Sequence, residues 1–374
     1  MRKIIRKPIQ ILFLVIFFIL GCIFTSSITP MDRTCRVQDT DREYNIMKNS
    51  KFKNPDLIIL ILSAPENLKK RNIVRDTWLK LAYHEGNENN HFQYKHYFVI
   101  GNLGQYARQL HELKLEQSKF KDILILPIDD SYKKLTEKVK QSFQWLSEQS
   151  EYGLGFKYVL KCDDDSFVNL GKLISELMHI DRILISNDGS VPKIQDGLQE
   201  YISYNIQIND PANISHLNLY WGYFSGNARI QTKGKWKEIN WIASDHYLPY
   251  ALGGGYVLSK NLVVLIGKTC EHLRSFKSED VSVGMWLAPI NNIVRVHDIR
   301  FDTEWISRGC KNTNLITHNV SPAEMNKLFK NLMTFGKMCS TETTRRKHYI
   351  YDWNVPNSEC CKVNKENVIR LPGP

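Results

Sequence analysis

The chain contains no internal repeat and no low-complexity run, which excludes a repeat array and a compositionally disordered chain. No Cys-x-x-Cys pair occurs among its eight cysteines, so the usual spacing of a structural zinc site is missing. No nucleic-acid motif accompanies the formal net charge of +11, and the charge alone does not argue for DNA or RNA. No Ala-x-Ala site closes the apolar run near the N-terminus. What is present is a chain of 374 residues and ordinary composition, enough for one large α/β domain or two smaller ones.

Arg2, Lys3, Arg6 and Lys7 supply four of the eleven excess charges. The remaining basic balance suits an anionic ligand. The apolar run from Ile9 to Phe24 is interrupted only by Gln10 and Gly21 and continues weakly to Ile28. A spanning helix needs about 20 apolar residues, and basic flanks stay in the cytosol. The expected organisation is a cytoplasmic tail at 1–8, an uncleaved signal anchor at 9–28, a polar stem at 29–54 and a lumenal domain at 55–374. A cleavable signal peptide is the competing reading. The compartment is oxidising under the first reading, so some of the six domain cysteines pair, in one of about fifteen full pairings. Asn213 and Asn319 head glycosylation sequons.

The stretch Phe156-Lys-Tyr-Val-Leu-Lys-Cys-Asp-Asp-Asp-Ser-Phe-Val-Asn169 organises the domain. Its first half is short and apolar, as in a buried strand. Asp163, Asp164 and Asp165 then repel one another and need positive charge nearby. Hard divalent cations take carboxylate oxygens and share them with substrate phosphates. The stretch is therefore either a metal-diphosphate platform or a solvated acidic turn.

Strands are expected at 56–62, 94–100, 122–126 and 156–162, with helices near 66–83, 105–117 and 136–149. Ser63 and Glu66 match a capping box. Arg71 and Arg75 stand four apart on one helix face. They are either anion ligands near the strand ends or surface arginines. Alternation of this kind implies a mainly parallel sheet covered on both faces, with ligands at the carboxyl ends of the strands. A further helix is expected at 170–179 and a strand at 219–224. Residues 186–215 are polar and read as a surface insertion. Gly253, Gly254 and Gly255, flanked by aromatics, form either a tight turn or a place where backbone approaches a ligand closely. Ser278 is placed to cap a helix whose first turn carries Glu279 and Asp280. One of those carboxylates is a candidate base only if it shares a cleft with the aspartates. His318 is a candidate ligand.

Four stretches in order resemble the β-1,3-glycosyltransferase family, family 31, which includes galactosyl- and N-acetylglucosaminyltransferases and Fringe. They are Arg71-Asn-Ile-Val-Arg-Asp-Thr-Trp78, Lys161-Cys-Asp-Asp-Asp-Ser-Phe-Val-Asn169, Tyr250-Ala-Leu-Gly-Gly-Gly-Tyr-Val-Leu-Ser259 and Glu279-Asp-Val-Ser-Val-Gly284. With Arg300–Cys310 and the tail Tyr351-Asp-Trp-Asn-Val-Pro-Asn-Ser-Glu-Cys-Cys361, the likeness narrows to galactosyltransferases of the proteoglycan linkage region. The resemblance implies a GT-A fold, UDP-galactose as donor, Mn²⁺, and a xylosyl-galactosyl primer on proteoglycan core proteins as acceptor, at the Golgi membrane. It further implies Asp280 as base and Asp163, Asp164, Asp165 and His318 around the metal. Arg71, Arg75, Trp78 and Lys161 would face the donor. Gly253, Gly254, Gly255, Tyr256, Glu279 and Trp286 would line the sugar pocket. A sugar-binding relative without turnover and a glycosidase with paired carboxylates are the rival classes.

Overall fold

The computed structural model describes residues 54–83, 92–185, 218–239, 241 and 244–361. The expected tail, anchor and stem, the insertion and Asn213 lie outside the described residues. Among those residues no helix is long and apolar enough to cross a membrane.

In chain order the strands are β1 (Leu57–Leu62), β2 (Tyr94–Leu103), β3 (Ile123–Asp129), β4 (Tyr158–Asp163), β5 (Phe167–Val168), β6 (Asn218–Phe224), β7 (Ala251–Ser259), β8 (Ile293–His297), β9 (Phe301–Asp302) and β10 (Ile316–Thr317). The α-helices are α1 (Leu68–Asp76), α2 (Ala107–Phe120), α3 (Leu135–Glu151), α4 (Leu170–Ile185), α5 (Lys260–Thr269), α6 (Glu279–Leu287) and α7 (Pro322–Phe335). Seven strands form one sheet in the order β3-β2-β1-β4-β7-β6-β8. The first four run parallel, and β7 is antiparallel to both β4 and β6. A small sheet, β5-β10-β9, sits beyond the end of β4.

Strand β1 explains the layering. Its six residues are all apolar and all buried, as a central parallel strand requires. Leu57, Ile59 and Ile61 enter one core with Trp78 of the turn after α1, Leu173 of α4 and Met325 of α7. Ile58, Leu60 and Leu62 enter the other with Phe143 of α3, Leu262 of α5 and Val283 of α6. The period-two alternation of a strand thus feeds two cores, one on each face of the sheet. The expected α/β architecture is present, and its mainly parallel half agrees with the GT-A fold.

Local expectations fail where tertiary partners compete. The capping box at Ser63 does not form, because the Ser63 hydroxyl donates to Asp164 and accepts from Arg71. Helix α1 ends at Asp76 rather than near Tyr83. Thr77 leaves helical geometry, its hydroxyl holds the Ile73 carbonyl, and a 3₁₀ turn follows over Trp78–Tyr83. The three glycines lie inside β7, not in a turn.

Arg71, Arg75 and Trp78 also need correction, since none of them faces the cleft described below. Arg71 is buried and clasps Glu116 of α2 through two bonds, at 2.9 and 2.6 Å. It also holds the Ala64 carbonyl. Arg75 reaches the same Glu116 at 2.7 Å and Asp122 at 2.8 and 2.9 Å, and its guanidinium stacks on Phe120. Trp78 is fully buried in the core. A buried guanidinium needs carboxylate partners, and Glu116 and Asp122 supply them. The motif therefore braces the turn between β1 and α1 against α2.

Cys310 and Cys339 are joined, as are Cys360 and Cys361, while Cys162 remains a buried thiol. Glu116→Ala should strip both arginines of a buried partner and cost about 3–5 kcal/mol. Urea unfolding of the variant measures this, and a loss below about 1 kcal/mol, the worth of a surface pair, would contradict the bracing role.

Candidate active site

Strand β4 pairs with β1 so that Asp163 lies level with Leu62 at the carboxyl end of the sheet. A cleft of 990 Å³ opens there. Asp163, Asp164, Asp165, Gly253, Gly254, Glu279, Asp280 and His318 all line it. Eight of the expected site residues thus share one cleft.

The three aspartates divide. Asp164 turns toward α1, where it accepts from Ser63 and Asn67 at 2.8 Å each and pairs with Lys70 at 3.1 Å. Burial raises its pKa despite those partners. It is not grouped with the candidate metal ligands, which corrects its expected role. Asp163, Asp165 and His318 remain, with ligand atoms within 4.8 Å of one another. His318 Nε2 stands 3.5 Å from Asp163 and 3.4 Å from Asp165. Burial opposes the imidazolium, but the two carboxylates win and lift the His318 pKa to about 9. Burial likewise opposes the Asp163 anion, yet Lys161 and His318 hold its pKa down to about 2. The Asp165 Oδ1 atom is buried without a hydrogen-bond partner. Two carboxylates and an imidazole, with one carboxylate oxygen lacking a formal hydrogen bond, form a donor set that fits a divalent cation.

Glycines of β7 pass directly under these groups. A Cβ at Gly253 would stand 2.5 Å from Glu279, and one at Gly254 would stand 2.6 Å from His318. Only a bare backbone leaves that room. The Gly253 N–H donates to Asp280 Oδ2 at 2.9 Å, and the Ser166 hydroxyl donates to the Gly254 carbonyl at 2.6 Å. Asp280 sits in the first turn of α6, as expected. Ser278 precedes the helix but donates to the Asp280 side chain instead of capping. The Val281 N–H also donates to Asp280, so the helix start holds this carboxylate at the cleft wall.

Lys161, Gly255, Tyr256 and Trp286 do not line the cleft. Lys161 is a buried ammonium behind it, 2.5 Å from Glu279, 3.0 Å from Asp163 and 2.6 Å from the Gly253 carbonyl. Tyr256 donates to Glu279 at 3.1 Å from within the core. Gly255 packs on Ile316, and Trp286 donates to the Arg274 carbonyl. Burial lifts the Glu279 pKa to about 7, against the pull of Lys161. Lys161 of β4 and Tyr256 of β7 are drawn behind the cleft because the buried Glu279 anion needs partners there, whereas Gly255 packs away on the Ile316 side and Trp286 is held from α6 by the Arg274 carbonyl. Asn319 is exposed, and its side-chain amide donates to the Trp305 carbonyl at 3.0 Å.

Several residues in or beside the cleft carried no sequence signal. Asn67, just before α1, binds Asp164 from the cleft wall, and Lys70 of α1, outside the cleft lining, pairs with Asp164 and Asp165. Lys138 enters from α3, bound to Asp130 and the Ser63 carbonyl. At the mouth, Lys235 lies over the rings of Tyr132, Trp236 and Trp305 at 4.6, 5.1 and 5.4 Å. Those four residues come from three separate connections, so no local pattern could join them.

A parallel half-sheet whose carboxyl end holds a carboxylate-imidazole group able to take a metal, with a further carboxylate in the same cleft, suits an enzyme of group transfer. The chain belongs to the galactosyltransferase family, whose model matches residues 69–298. It is 40% identical to beta-1,3-galactosyltransferase 6 of Mus musculus, over 83% of this chain and 84% of that protein. It is 29% identical to beta-1,3-galactosyltransferase 4 of Mus musculus, over 74% of this chain and 72% of that one. It is also 30% identical to hydroxyproline O-galactosyltransferase GALT5 of Arabidopsis thaliana, over 75% of this chain but 36% of that longer protein. The protein is a galactosyltransferase.

Gly254→Ala tests the close approach. The added methyl should displace His318 and weaken divalent-cation binding by about 10- to 100-fold, the usual effect of disturbing a ligand's support. Thermal unfolding titrated with Mn²⁺ reads this, and a titration unchanged from the parent would contradict the assignment.

Proposed function

We propose that the chain transfers galactose from UDP-galactose to the 3-hydroxyl of a β-linked galactose on xylose, the xylosyl-galactosyl primer of proteoglycan core proteins. The observation that carries the reading is the position of Asp280 in the same cleft as the Asp163–Asp165–His318 group. The name of the mouse relative supports β-1,3-galactosyl transfer, and the acceptor is inferred from the resemblance of the tail at 351–361 noted in the sequence. The expected lumenal domain of a Golgi type II protein is part of the same reading.

The donor is α-linked to its diphosphate and the product is β-linked, so the reaction inverts in one displacement. Asp280 takes the proton from the acceptor hydroxyl as that oxygen attacks the anomeric carbon. Its three bonds, from Gly253, Val281 and Ser278, fix the carboxylate and leave lone pairs for the proton. Asp163, Asp165 and His318 would hold Mn²⁺, which supplies positive charge to the departing diphosphate. Lys161 keeps Asp163 and Glu279 oriented from behind. Glu279 is buried against Lys161 and Tyr256, which leaves the role of base to its neighbour.

Asp280→Asn should fold and bind UDP-galactose as the parent does but lose about 10²- to 10⁴-fold in transfer rate. Transfer to Galβ1-4Xyl, measured beside thermal stability and UDP binding, checks it. Near-parent transfer would remove Asp280 from the role of base. Parent turnover in chelator without added metal would remove the metal from the reaction.

A further inference from the structure

The tail singled out in the sequence lies beyond the part of the chain that the family model matches. Its residues do not enter the cleft. They hold the strip of backbone that does. From β6 the chain continues through Ser225, Gly226, Asn227 and Ala228, which form one cleft wall with Tyr247 and Tyr250. The Tyr349 hydroxyl accepts from the Gly226 N–H at 3.0 Å and donates to the Phe224 carbonyl at 2.8 Å. The Asn227 N–H donates to the Asn357 carbonyl at 2.9 Å. The Asn357 side chain donates to the Tyr247 carbonyl and accepts from the Tyr351 hydroxyl at 2.7 Å. Trp353 stacks edge-on against Phe224 with centroids 5.1 Å apart. Cys360 and Cys361 press on Gly226 so closely that a Cβ there would meet Cys361 at 2.5 Å.

The two halves of the cleft differ. In an α/β sheet the nucleotide is expected at the carboxyl ends of the parallel strands, here β1 to β4. That side is walled by Ser63, Asn67 and Lys138. The wall at 225–228 belongs to the antiparallel side and is left for the second substrate. We propose that the tail at 349–361 is a positioning element that sets the acceptor wall, so that Tyr349 and Asn357 determine acceptor affinity without touching the donor. This inference rests on the galactosyl-transfer reading above. The acceptor class is a β-linked galactoside, recognised in part by the half-buried strip at 225–228 that these bonds orient.

The test uses the full chain with two substitutions, Tyr349→Phe and Asn357→Ala. Phe keeps the ring, which stacks on His297 at 5.4 Å, and removes only the hydroxyl. Initial rates are measured against UDP-galactose and against Galβ1-4Xyl, and UDP release into water is measured without acceptor. In each variant the acceptor KM should rise by about three- to tenfold, the span corresponding to loss of one net hydrogen bond. Donor KM and acceptor-free UDP release should match the parent. An unchanged acceptor KM in both variants overturns the proposal. So does a parallel loss of donor KM and UDP release, which marks general loosening. If Asn357→Ala does not fold, Tyr349→Phe alone decides. A parent that releases no UDP with or without acceptor instead refutes the transferase reading on which the proposal stands.

Discussion

A single buried ammonium holds the site together. Lys161 enters from β4, binds the Asp163 carboxylate on its own strand, the Gly253 carbonyl on β7 and the Glu279 carboxylate on α6. Three elements distant in sequence thereby meet at one charge. The net sign matters as much as the geometry. Five carboxylates, Asp163, Asp164, Asp165, Glu279 and Asp280, line this part of the cleft, and without compensation their repulsion would favour open or protonated states. Lys161 from below, Lys70 from the side and His318 from above divide that charge among them.

The parallel and antiparallel halves of the sheet serve different ends. Parallel pairing of β1 to β4 gathers strand termini and helix starts on one edge. The reversed strand β7 then brings its middle, rather than its end, past the same point. A mid-strand segment cannot bend away to make room, so the close groups above it require residues without side chains. Glycine in a strand costs stability through entropy and lost packing. Here that cost is offset by hydrogen bonds of the bare peptide groups, with the Gly253 N–H donating to Asp280 and the Gly254 carbonyl accepting from Ser166.

Much of this was legible in the sequence. The strand before Asp163, the helix begun by Glu279 and Asp280, and the alternation of elements all follow from local patterning. What stayed hidden was direction. The spacing of Arg71 and Arg75 shows a shared face but not which face, and Glu116, 41 and 45 residues away, decides it. The three aspartates look equivalent in sequence, yet turn geometry sends Asp164 toward Lys70 and leaves Asp163 and Asp165 for His318. Lys161 is expected among the donor contacts only because the family resemblance implies it. It shares the Asp163 face of β4 but sits two residues short of the strand end, where Glu279 and the Gly253 carbonyl take its ammonium. The cleft mouth formed by Tyr132, Lys235 and Trp305 depends on three connections meeting, which no window of sequence contains.

The Cys310–Cys339 bond bears on how the protein must be made. It ties the segment after β9, which carries Thr303, Glu304 and Trp305 of the cleft wall, to the residues following α7. The central sheet contains no disulfide among the described residues, and its Cys162 is a thiol. Folding of the sheet and fastening of that wall are therefore separable events with different chemical requirements. Material produced in a reducing bacterial cytosol is expected to gain the sheet and lack the fastening. Its specific activity would then report the oxidation history of the preparation as much as its amino-acid sequence, and a free-thiol count distinguishes the two.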